Sequence, residues 1–160
     1  MSFREGDHVM HWTFGFGKVI RLENQVVAQK EVLHYMVQVD DMSIWVPEDE
    51  MLSARLRSPS TKKEFKQLQD ILSSSGEELP DDRLLRKNRL LEILKDGSAK
   101  SLFDVIRSLS TYRKVRALND NDQVLLKRAE KALIGEWGFV LSVTPLQATT
   151  DLHQMLLENA

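Results

Sequence analysis

The sequence predicts an α+β protein of two domains, a small antiparallel β module followed by a bundle of about five α-helices. Up to Arg57 the chain is built of short runs rich in β-branched and aromatic residues, separated by turn residues. From residue 58 onward apolar residues recur at helical spacing. Each of these later stretches also opens on a helix-start signal.

Four strands are expected at Val9–Trp12, Lys18–Leu22, Leu33–Val39 and Ser43–Val46. Gly15 and Gly17 punctuate the first link, Asn24 the second and Asp40-Asp41 the third. Four or five strands of this length, close together, suggest a small curled antiparallel sheet or barrel. The first helix is expected to start at Ser58-Pro59, with Ser58 as cap and Pro59 at the first helical position. It carries Phe65, Leu68, Ile71 and Leu72 and ends at Ser73–Gly76. The second follows Pro80, capped by Asp81 or Asp82, with Leu84, Leu85, Leu91 and Leu94 on its apolar side and a stop at Gly97. Ser98 caps a third, striped by Leu102, Phe103, Ile106 and Leu109. A fourth starts at Asp120 with Gln123 three residues on and runs to Trp137. The fifth starts at Thr144-Pro145, with Leu146, His153, Leu156 and Leu157 on one side. The domains are therefore placed at residues 1–58 and 59–160.

Composition narrows the function. Apolar residues make up 42% and charged residues 29%, so a packed fold is expected rather than a disordered chain. No run is apolar enough to cross a membrane and the start lacks a signal-peptide core, so a cytoplasmic protein with no membrane partner is expected. The chain has no cysteine, which excludes thiolate metal sites, disulfides and thiol nucleophiles together. Of the histidines His8, His11, His34 and His153, the first two lie three apart in a strand and point to opposite faces, so they do not chelate together. Gly15-Phe16-Gly17-Lys18 lacks the Ser or Thr and the helix that a phosphate loop needs. Asp40-Asp41 and Glu48-Asp49-Glu50 read as solvated turns, and no serine sits in a nucleophile elbow. The expectation is a non-enzyme without metal or cofactor.

The net charge of −2 argues against nucleic acid as a whole, yet its distribution is uneven. Acids outnumber bases up to Arg57, whereas Arg83, Arg86, Lys87, Arg89 and Lys95 face only Glu92. With only Glu92 nearby, most of the i±4 salt-bridge lacing of a merely solvated face is missing. Arg83, Arg86, Lys87 and Arg89 are therefore candidate DNA-binding residues, expected to project from the bundle. Arg113, Lys114 and Arg116 form a weaker second set. In the β module Trp45 alternates with Ile44 and Val46, so the sheet separates it from that pair, and a surface Trp near an edge suits a protein contact.

Laid out in order, these residues resemble the CarD/CdnL family of bacterial transcription regulators, whose N-terminal module is shared with the polymerase-interacting domain of the transcription-repair coupling factor. The resemblance rests on Gly6-Asp7-x-Val9, His11-x-x-Phe14-Gly15-x-Gly17-x-Val19, Val46-Pro47, Leu79-Pro80, Glu92-Ile93-Leu94-x-Asp96-Gly97 and Gly135-Glu136. It implies a Tudor/SH3-like N-terminal domain that binds the RNA polymerase β subunit. It also implies a helical domain that contacts promoter DNA at the upstream edge of the bubble and stabilises the open complex. On this chain the polymerase contact would fall on Gln25, Ile44, Trp45, Val46 and Pro47, and a monomer is expected. Arg83 stands where the family carries a DNA-wedging tryptophan, and Gln25 and Trp45 stand where it carries two arginines. The alternative is an adaptor that binds polymerase or another protein without touching DNA.

Overall fold

The computed structural model describes residues 2–158, and the chain divides into two compact units, Met1–Pro59 and Ser60–Ala160. The first holds a five-stranded antiparallel sheet in the order β4-β3-β2-β1-β5. Its strands are β1 (His8–His11), β2 (Gly15–Val27), β3 (Lys30–Val39), β4 (Met42–Pro47) and β5 (Leu56–Arg57). A single helical turn, α1 (Leu52–Arg55), leads from β4 into β5, which pairs with β1 through Met10 opposite Arg57.

β2 is longer than the expected Lys18–Leu22, because Asn24 continues the strand and the reversal comes at Ala28 and Gln29. Both of those residues are left-handed, at φ 50° and 67°, as a two-residue hairpin turn requires. Asp40, at φ 55°, turns β3 into β4. The glycines at the first link are needed for different reasons. Gly15 has φ 87°, whereas Gly17 lies inside β2 where a β-carbon would sit 2.7 Å from the Gln38 carbonyl oxygen and 2.8 Å from Val39 Cγ2.

One face of the sheet carries the small core of Val9, Val19, Tyr35, Val37, Val39 and Val46, closed by Phe3, Leu52 and Leu56. Tyr35 donates its hydroxyl to Glu48 Oε1 at 2.9 Å and accepts from the Phe3 amide at 3.3 Å. Burial raises the pKa of this phenol above its ordinary value.

The second unit holds α2 (Lys62–Leu68), a 3-10 segment (Gln69–Ser73), α3 (Arg83–Leu94), α4 (Ala99–Arg113), α5 (Asp120–Leu141) and α6 (Pro145–Leu157). Three of the expected caps hold: Asp82 for α3, Ser98 for α4, and Thr144 with Pro145 at the first position for α6. Two expected starts shift. Thr61 rather than Ser58 caps α2, in a reciprocal box with Glu64 that satisfies two backbone donors, and Asn119 with Asp122 does the same for α5. α4 runs through the core, with Phe103, Ile106 and Leu109 fully buried. Phe103 joins Phe65 and Trp137 in an edge-packed aromatic cluster with ring centroids 5.2 to 6.3 Å apart.

Two helical faces differ from expectation. On α6 the buried residues are Ala148, Leu152 and Leu156, while Leu146, His153 and Leu157 are exposed. On α3 the inward residues are Arg86 and Leu90, while Leu84, Leu85 and Leu91 are exposed. Among the described residues no helix is long and apolar enough to cross a membrane, and no group of His, Asp and Glu could hold a metal ion. His11 accepts from the Thr13 amide, His34 lies 2.9 Å from the Val32 carbonyl oxygen, and His8 stacks on Phe16.

The close approach at Gly17 generates a test. Gly17→Ala is expected to destabilise the β module by about 1–3 kcal/mol through overpacking. Amide exchange of β2 and β3 should accelerate accordingly while the helical amides keep their protection.

Candidate nucleic-acid and partner interface

Asp82 starts α3 by accepting from the amides of Leu84 and Leu85, each at 3.0 Å. Arg86 then fixes how the helix is turned. Its Nε lies 2.9 Å from Asp122 Oδ1 and its Nη2 2.9 Å from Asp122 Oδ2, a two-pronged pairing. Nη1 donates to the carbonyls of Asp81 at 2.9 Å and Pro80 at 3.2 Å and to the Tyr112 hydroxyl at 3.1 Å. The guanidinium also stacks over the Tyr112 ring, 4.7 Å from its centroid. Side-chain exposure is 4% for Arg86 and 1% for Asp122, so both charges are out of water. The hydrogen bonds to Asp122 raise the Arg86 pKa above its ordinary value, outweighing desolvation. Asp122 also accepts from the Asn119 amide at 3.0 Å, so the carboxylate that holds Arg86 is the one that caps α5.

Arg86 was expected on the outer face with the other cations, and the structure corrects this. The carboxylate that matches it comes not from α3 but from a residue 36 positions along the chain. A guanidinium with every donor group occupied inside the bundle has none left for a phosphate.

The remaining cations separate around the helix. Each residue advances about 100°, so Arg83 and Lys87 fall on one flank of Arg86 and Arg89 on the other. Arg83 and Lys87 are exposed and have no acidic partner among the described residues. With Leu84 they line an open cleft of about 390 Å³ whose other wall is the start of α5: Asn119, Asp120 and Asn121. The buried Asn121 Nδ2 has no hydrogen-bond partner. Asp120 is the carboxylate there, leaving the lining with an excess of positive charge. On the opposite flank Arg89 makes a two-pronged pairing with Glu77 in the segment before α3, and those hydrogen bonds raise its pKa. Arg116 pairs with Asp81 at 3.0 Å. Arg113 and Lys114 line a different cleft.

In the β module, β4 ends the sheet, with β3 on one side and no strand on the other among the described residues. Val46 is 1% exposed and belongs to the core, so it offers a partner only backbone. Ile44 packs against the same core. Trp45 therefore lies on the opposite face. The register places Arg21 opposite Met36 and Met36 opposite Trp45, because a bulge between Val19 and Arg21 shifts the pairing. The Arg21 guanidinium lies 5.4 Å from the Trp45 ring centroid. Gln25 is half-buried on β2 opposite Val32, so β3 separates it from the β4 residues.

Helical periodicity predicts Leu84 and Leu85 on the apolar side of α3, yet they lie beside the candidate cations and are 61% and 58% exposed. Their periodicity gave no warning, since Leu84, Leu85 and Leu91 fit an apolar stripe as well as Leu90 and Ile93 do.

The buried pair has a measurable consequence. Asp122→Ala is expected to lower unfolding stability by about 3–5 kcal/mol, because it strands the Arg86 charge inside the bundle. Replacing both partners with apolar residues, Arg86→Met with Asp122→Leu, should recover most of that loss in urea titrations.

Comparison with known proteins places the chain. The model of the CarD C-terminal domain matches residues 67–153. That span runs from α2 into α6 and contains the whole Arg86–Asp122 arrangement. Over 151 residues the chain is 24% identical to "Putative transcription factor YdeB" of Bacillus subtilis strain 168, covering 91% of this chain and 96% of that protein. The match to the CarD C-terminal domain covers more than half of the chain, which therefore belongs to the CarD family.

Proposed function

We propose that this chain regulates transcription by holding RNA polymerase with its β module and promoter DNA with the flank of α3 that carries Arg83 and Lys87. The observation that carries this reading is the unpaired, outward placement of those two cations beside exposed Leu84, on a helix whose rotation is fixed from within. Cations four apart on one face repel each other and so destabilise an isolated helix, which suits a surface kept for a polyanion. Phosphates of the duplex fit the charge. Arg89 is a second-rank contact, since it would exchange solvent-exposed Glu77 for a phosphate. Arg86 is not a contact in this reading but the anchor for the others.

Toward polymerase, β4 supplies a sheet edge for strand addition, and Trp45, braced by Arg21, supplies an aromatic surface near it. Ile44 and Pro47 flank that surface, and Val46 takes part through its backbone alone. Gln25 would contribute only if the partner also covers the β2–β3 hairpin. A protein that binds the melted promoter complex more tightly than the closed one prolongs it by that difference in affinity.

Two measurements test the reading with the cognate polymerase and a promoter fragment. Arg83→Ala with Lys87→Ala should shorten open-complex lifetime and reduce the salt slope of promoter-complex binding by about two units, one per lost phosphate contact. An unchanged slope together with intact polymerase binding would favour the adaptor that never touches DNA. Trp45→Ala should weaken co-elution with polymerase by tenfold or more, as for a buried aromatic anchor.

A further inference from the structure

A second group of cations surrounds an apolar cleft formed by the end of α4, the first half of α5 and the end of α6, about 830 Å³ in volume. Leu118, Leu126, Leu156 and Leu157 line it. Arg113 and Lys127 stand in its wall, exposed and without an acidic partner among the described residues. Ser110 also lines the cleft, and its hydroxyl is buried with no hydrogen-bond partner, the residue being 6% exposed. One turn earlier on the same helix, Arg107 is 2% exposed and bonded to the Leu156 carbonyl alone, at 3.5 Å, with its Nε unpartnered. No carboxylate among the described residues pairs with it.

Basic residues at a helix C-terminus are often explained by the helix dipole, and two helices end at this cleft. Each C-terminus carries about half a negative charge, so together they offset about one cation. Glu130, which also lines the cleft, faces His153 at 4.0 Å. Arg113 and Lys127 are the cations of this lining without an acidic partner among the described residues, one more than the helix ends offset. The surplus charge, the unused hydroxyl and the four leucines have one common complement.

We infer that this cleft binds a small amphiphilic anion, its carboxylate or phosphate head met by Arg113, Lys127 and the Ser110 hydroxyl and its alkyl or ring body laid on the leucines. The site is separate from the α3 surface and does not depend on the transcriptional reading. Occupancy would supply the acceptor that the Ser110 hydroxyl lacks.

Calorimetric titration of the full chain with decanoate, decyl phosphate and decyltrimethylammonium, each below its micelle concentration, tests this. At least one of the anions should bind, with the ammonium at least tenfold weaker. Arg113→Ala with Lys127→Ala should weaken anion binding roughly tenfold, as for two charge pairs each within the surface range. Ser110→Ala should weaken it severalfold while the melting temperature stays level or rises, because an unpartnered hydroxyl is lost. Binding of decyl phosphate without decanoate supports the site and assigns a phosphate head, and the converse assigns a carboxylate. Equal affinity for the ammonium, binding by neither anion, or variants that bind like the wild type would overturn the inference.

Discussion

The helical unit depends on one buried ion pair. Taking Arg86 and Asp122 out of water costs several kcal/mol for each ion before any attraction is counted, so such a pair persists only where its geometry is complete. Here it is complete: the guanidinium meets a carboxylate, two carbonyls, a hydroxyl and a ring face. These partners come from α5, from the residues leading into α3, and from α4. A single side chain thus sets three segments against one another and leaves α3 no freedom to rotate about its axis. The orientation of Arg83, Leu84 and Lys87 follows from that constraint, since none of them has a tertiary hydrogen bond or ion pair of its own to hold it.

The β module solves its orientation problem by register rather than by charge. A strand that slips one residue turns every side chain to the other face. Gly17 prevents this by allowing β3 to approach where no β-carbon fits, and the bulge after Val19 resets the pairing so that Arg21, Met36 and Trp45 form a row across three strands. Val46 is thereby committed to the core and Trp45 to the opposite face. The division of β4 between structure and contact is a consequence of pleat alone.

The cations of the helical unit meet contrasting environments. Arg86 is buried and matched, Arg89 and Arg116 are exposed and matched, and Arg83, Lys87, Arg113 and Lys127 are exposed and unmatched. These four keep their field toward a ligand and line two clefts, one at the start of α5 and one at the end of the bundle. A net charge of −2 conceals both.

By itself the sequence determined what local physics controls. Alternation and turn residues gave the sheet, while Asp82, Ser98 and Thr144-Pro145 gave helix starts, because a strand face or a cap is settled by residues within a few positions of one another. It also located the basic helix and Trp45. What only the tertiary structure decided is which side of α3 faces inward, where the hairpin turns, and which cations are free. Leucines at 84, 85, 90 and 91 allow more than one buried stripe, and the choice was made by Asp122 and Tyr112, whose distance along the chain no periodicity can reveal. A cation without a neighbouring acid in sequence is therefore not yet a cation without a partner, because burial brings partners together across the whole chain.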